Sequence, residues 1–129
     1  MNIEEKISFW MKLSDMDIPV MNHLFDSGDY HYALYIGHLS LEKILKANFV
    51  KNNQTVPPKI HSLNKLAQKS NIKLSKEQEK FLLLVDNFNI EARYPDEKFN
   101  FYKLCTREYT IEKLEEIEEF QKWLKSLLK

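Results

Sequence analysis

Only two glycines, Gly28 and Gly37, punctuate a chain of 129 residues. Glycine is what lets a backbone take left-handed turns or approach a phosphate closely. The glycine-rich phosphate loop and the dinucleotide fingerprint have no raw material here. Sparse Gly, Val and Thr also argue against a sheet-rich fold.

The apolar residues recur at helical spacing nearly throughout. Ile7, Trp10, Met11, Ile18, Met21 and Phe25 share one stripe, with Pro19 predicting a kink or break near Asp17. Asp26-Ser27-Gly28-Asp29 reads as a stop and a restart, Gly28 suiting a helix end and Ser27 or Asp29 a cap. A second helix is predicted from about Asp29 to Lys51. It is apolar on more than one side, as a central or interfacial helix is. A loop with Pro57-Pro58 follows, and His61-Ser62 opens a short helix carrying Leu63 and Leu66. A fourth helix is predicted from about Lys76 to Ala92, with capping-box spacing between Ser75 and Gln78. Arg93 to Tyr109 breaks the pattern, and long irregular connections often carry function. A last helix is predicted from about Thr110 to Leu128. The expectation is an all-α fold: one domain over residues 1–129, an antiparallel up-and-down bundle of four main helices plus a short one.

Charge narrows the classes further. Nineteen basic residues balance nineteen acidic ones, unlike a surface built entirely for nucleic acid. The balance is uneven along the chain, and residues 40–80 hold nine lysines against three glutamates. The lone cysteine, Cys105, excludes an internal disulfide and any multi-cysteine metal site. No apolar run approaches the roughly 18 residues of a membrane span, and the N-terminus lacks the pattern of a signal peptide. A cytoplasmic protein with no membrane contact is the expectation.

Four constellations carry candidate chemistry. In Glu91-Ala92-Arg93-Tyr94-Pro95-Asp96, an arginine at a helix end precedes a rigid turn and an acid. Arg93 can clamp a phosphate through its planar fork, or simply pair with Asp96 or Glu42. In Leu41-Glu42-Lys43-Ile44-Leu45-Lys46-Ala47, Lys43 and Lys46 share a face that could meet phosphate. The plainer reading is a solvated helix face with a Glu42–Lys46 pair one turn apart. His31, Tyr35, His38 and Glu42 form a third stripe. Two histidines seven residues apart lie about 10 Å apart along a helix, too far for one ion, so a polar strip at a helix interface is favoured. Lys98, Phe99, Phe101, Tyr102, Lys103, Arg107 and Tyr109 interleave cations with rings, which suits single-strand stacking or packing over the bundle. No metal site and no cofactor are expected. His61 marks a helix start, and no nucleophile-elbow spacing occurs.

Taken in order, these stretches resemble a family. Gly28-Asp29-Tyr30, Glu42-Lys43-x-x-Lys46-Ala47, Ile60-His61-Ser62-Leu63, Arg93-Tyr94-Pro95-Asp96 and a final amphipathic helix with Trp123 are similar to an HEPN domain, over roughly residues 5 to 128. The resemblance implies an up-and-down helical bundle, commonly a homodimer, that binds nucleotide or RNA. It implies that many such proteins pair with a small nucleotidyltransferase in two-gene toxin–antitoxin-type modules. Many are metal-independent ribonucleases, with an Arg followed four to six residues later by a His.

Here the chain departs from that pattern. Arg93 matches by position, but Lys98, Phe99 and Asn100 fill the window where the histidine belongs, and no His follows His61. Asparagine cannot shuttle a proton near neutral pH. The expectation is a binding or partner subunit with weakened or absent ribonuclease activity and no catalytic residues. Its binding residues are Arg93 (phosphate), Tyr94 (stacking), Asp96 (orienting Arg93 or a ribose hydroxyl), and Lys43 and Lys46 (supporting charge). The rival readings are a ribonuclease toxin with a rearranged site, drawing His31 or His38 from a dimer mate, and a dimeric scaffold with no ligand.

Overall fold

A computed structural model describes all residues, Met1–Lys129. Six helices follow one another: α1 (Ile3–Asp26), α2 (Tyr30–Asn53), α3 (Leu63–Lys69), α4 (Lys76–Arg93), α5 (Asn100–Leu104) and α6 (Arg107–Ser126). The four long ones form the bundle, so the expected all-α architecture stands. No helix is long and apolar enough to cross a membrane.

The spine is α2, which touches every other helix. Its apolar residues point several ways because it has neighbours on several sides. Leu34, Leu41, Ile44 and Leu45 are fully buried, and so are Ile117 and Leu124 of α6 and Val85 of α4. At Gly37 the approach of α6 is closest: a Cβ there would lie 2.7 Å from Ile117 Cδ1. A buried hydrogen-bond chain ties three helices together. Gln121 Nε2 donates to Ser14 Oγ at 2.7 Å, and Ser14 Oγ donates to the Ser40 carbonyl at 2.7 Å.

The ends of the helices are set by local chemistry. Asn2 accepts from the Glu5 amide, and Glu4 and Glu5 complement the positive end of α1. Gly28, with a positive φ, supplies the left-handed residue that reverses the chain into α2. Asp29 occupies the N-cap position of α2 without a side-chain cap bond. The capping box of Ser75 and Gln78 forms in both directions.

Three boundaries differ from the sequence reading. First, α1 runs unbroken through Pro19. The proline is exposed, as is Asp15, whose carbonyl loses its partner, so water can satisfy that group. Packing of α1 along α2 holds the axis together. Second, the stretch after Arg93 is not wholly irregular, because α5 forms within it. Its one buried residue, Phe101, packs on Phe88 with centroids 5.8 Å apart. Third, α6 begins at Arg107 rather than Thr110. Thr106 is the cap, accepting from the Tyr109 amide, and Thr110 is buried inside the helix.

Candidate functional site

A row of polar side chains on α2 turns toward α3 and α4. His38 is 1% exposed. Its Nδ1 accepts from the Asn89 side-chain amide at 3.0 Å, and its Nε2 lies 2.9 Å from Asp86 Oδ1. With Nδ1 accepting, Nε2–H is left to donate to the carboxylate. The neighbours therefore select one neutral tautomer and occupy both ring nitrogens. Asp86 also accepts the Leu63 backbone N–H, tying the start of α3 to α4. This is the interfacial polar strip expected for His38 and Glu42. His31 is not part of it.

One turn along, the buried Glu42 carboxylate divides its oxygens. Oε2 accepts from Lys46 Nζ at 3.1 Å, and Oε1 accepts from His61 Nδ1 at 3.0 Å. Lys46 is itself buried, and its ammonium sits 5.3 Å from the centre of the Trp10 ring. Lys43 points the other way and pairs with Asp17 of α1 at 2.7 Å. The two lysines thus serve carboxylates inside the bundle, and neither lines a cavity with Arg93. The solvated-face reading of this stretch fails too, since a spine helix leaves little surface here.

Arg93 closes α4. Its Nε donates to the Asn89 carbonyl at 3.3 Å, and its guanidinium lies 5.9 Å from the Tyr35 ring centre and 5.2 Å from that of Tyr94. No ion pair involves it. The pairing with Asp96 or Glu42 that spacing allowed is therefore absent. Asp96 instead accepts from the amides of Lys98, at 3.2 Å, and Asn100, at 2.8 Å. It shapes the turn into α5, in which Phe99 takes a left-handed backbone conformation.

Two cavities meet at Arg93. The larger, about 640 Å³, is walled by His31, Tyr32, Glu91, Ala92, Pro95, Phe99, Phe101, Tyr102 and Lys103. Tyr102 stands edge-on to His31, with centroids 5.1 Å apart. The smaller, about 220 Å³, is walled by His38, His61, Ser62, Asp86, Asn89 and Ile90. Arg93 lines both. The aromatic stretch thus splits its roles. Phe101 and Tyr109 pack on Phe88, while Phe99 and Tyr102 stay exposed at the larger cavity. Burial holds the His31 imidazole below its ordinary pKa, partly offset by the Asp29 charge. Burial also pushes the Cys105 thiol up to about 12. A thiol so raised is an inert part of the core.

Asp86, Asn89 and His61 escaped the sequence reading as site residues. The first two carry a signal: Asp86, Asn89 and Arg93 recur at steps of three and four on α4, a polar row on a face that elsewhere buries Val85 and Ala92. His61 had only its place before a helix cap.

The chain is an all-helical bundle with a ring-lined groove at the end of its fourth helix. The model of one family, the HEPN domain, matches residues 7–127. The chain belongs to that family. Among curated proteins and among solved structures, no match is found.

Proposed function

We propose that this HEPN domain binds nucleotide or RNA phosphate at Arg93, as a homodimer and as the partner subunit of a small nucleotidyltransferase in a two-gene toxin–antitoxin-type module. One observation carries the binding reading: the Arg93 guanidinium is exposed and has no carboxylate partner, at the junction of a ring-lined and a polar cavity. Arg93 contacts phosphate, and the exposed Tyr94 stacks on a base. Asp96 holds the loop that presents them. Lys103, at the larger cavity, adds charge that Lys43 and Lys46 spend inside the bundle.

The test is a titration of labelled single-stranded RNA and of nucleoside phosphates against the wild type and Arg93→Ala. A charge-assisted contact contributes about 1.5–3 kcal/mol, so affinity falls roughly 10- to 100-fold. The salt dependence of binding becomes shallower. Arg93→Ala also gives up the ring contacts to Tyr35 and Tyr94, each worth about 0.5–1 kcal/mol at an exposed site, so the melting temperature falls by only a few degrees. Unchanged affinity removes Arg93 from the site. Light scattering at micromolar concentration tests the dimer.

The depressed His31 pKa gives an independent check. The unfolded chain binds the proton at higher pH than the folded one, so this group lowers stability as pH falls below about 6.5. Phosphate in the larger cavity favours the charged ring and reverses that depression. The His31 resonance should therefore titrate below the ordinary imidazole value in the free protein and move upward with nucleotide bound. Binding should tighten as pH falls toward 6, and His31→Gln should flatten that slope. A midpoint unmoved by saturating nucleotide means the cavity does not hold the phosphate.

A further inference from the structure

We propose that Glu91 makes the larger cavity a site for guanine, its carboxylate reading the base of a nucleotide whose phosphate lies on Arg93. The inference rests on the binding reading above and names the base that the cavity selects. Three observations carry it. Glu91 is the only acid among the residues that line this cavity, and Arg93 and Lys103 are its two cations. Glu91 pairs with neither of them, and Lys103 is likewise in no ion pair. Much of the remaining wall is aromatic, and Tyr32, Phe99 and Tyr102 are exposed.

A free carboxylate beside two free cations suits a ligand with an anionic end and a hydrogen-bond-donor end. A nucleotide has both, joined to a flat base that stacks on rings. The four bases differ in what they offer an ionised carboxylate, which only accepts. Guanine presents two parallel donors, N1–H and one N2–H, which match the two oxygens as an arginine fork does. Adenine and cytosine each present one amine donor beside a ring nitrogen whose lone pair repels the second oxygen. Uracil presents one N–H between two carbonyls. Of the four, guanine alone satisfies both oxygens. A purine also covers more of a ring wall than a pyrimidine does, and about 640 Å³ is an ordinary volume for a ligand of this size.

The other acids near Arg93 are committed elsewhere. Asp96 accepts from two amides in the turn before α5. Asp86 is held by His38 and the Leu63 amide, and Glu42 by Lys46 and His61. Glu91 and Arg93 both belong to the last turn of α4, so one rigid element sets the spacing between the base contact and the phosphate contact. Tyr94 does not line this cavity and is left for a neighbouring base of an RNA strand.

The experiment titrates the full chain with guanosine, inosine, adenosine and cytidine 5′-monophosphates by calorimetry, for the wild type, Glu91→Gln and Arg93→Ala. The wild type should bind guanosine monophosphate roughly 10- to 100-fold more tightly than the other three, the discrimination that a bidentate base contact supplies. Inosine monophosphate isolates the contact within the wild type, because it keeps N1–H and lacks the N2 amine. Glu91→Gln offers one acceptor and one donor, the pattern that the adenine edge complements. The preference should therefore turn from guanine to adenine, which loss of a purely structural carboxylate would not produce. Arg93→Ala should weaken all four alike, through the phosphate. Arg93-dependent binding with equal affinity for every base overturns this inference and leaves the binding reading intact. A guanine preference that persists in Glu91→Gln overturns it as well, since the base is then read elsewhere. No binding of any of the four nucleotides overturns both.

Discussion

Phe88→Ala should lower the unfolding free energy by about 3–5 kcal/mol, the range for deleting a fully buried ring. That is a large share of the roughly 5–15 kcal/mol that holds a typical domain together. Phe88 is 1% exposed and sits where three elements meet. It pairs with Phe101 of α5 and, edge-on at 6.5 Å, with Tyr109 of α6. Phe101 is the only buried residue of α5, so losing Phe88 removes what anchors that helix. The effect therefore reaches the site. Phe101 and Tyr102 line the larger cavity beside Arg93, and a loosened α5 no longer presents them. In urea unfolding the midpoint should drop with an unchanged slope. Under conditions where the variant is still folded, α5 amides should exchange faster and RNA affinity should fall. Phe88→Leu keeps most of the apolar volume and should lose much less. If Phe88→Ala cost no more than the small core truncation Ile→Val does elsewhere, with α5 exchange unchanged, other contacts would be holding α5.

The same elements show what a sequence discloses and what it conceals. The four long helices were legible because each buries a stripe at helical spacing, and because Gly28 and Ser75 mark boundaries by local chemistry alone. Helix α5 was not legible. It has five residues, begins after a left-handed Phe99, and depends on Phe88 from another helix. The start of α6 went to Thr110 rather than Thr106 because both are threonines near an apolar run, and only packing buries one of them. Pro19 misled because its cost depends on which face meets water. The place of Arg93, at a helix end before Tyr94-Pro95, was legible in the sequence. The Glu42–Lys46 pair was legible too, one turn apart, but its burial and the Lys43–Asp17 pair were not, since Asp17 lies on α1, outside any local window. The join between His61 and Arg93 is wholly tertiary, made by the packing of α3 and α4 against α2.

Lys46→Met should be comparably severe, with a loss of about 3–5 kcal/mol. Methionine keeps the apolar stem beside Trp10, so the change removes charge more than volume. The Lys46 and Glu42 side chains are 10% and 9% exposed. A carboxylate left at that depth with only His61 as a partner has lost much of what repays its desolvation. The charge, not the missing contact, should dominate the cost. Glu42→Gln added to Lys46→Met should then recover most of the stability, because the uncompensated charge is gone. If the double variant is no more stable than Lys46→Met alone, the loss lies in packing against Trp10 instead. This pair also separates folding from binding. In the double variant the bundle is restored, but His61 no longer faces a carboxylate. RNA binding through Arg93 should persist, because neither substitution touches the guanidinium or the cavities it lines. Loss of RNA binding in the restored bundle would mean that the Glu42–Lys46 pair shapes the site as well as the fold.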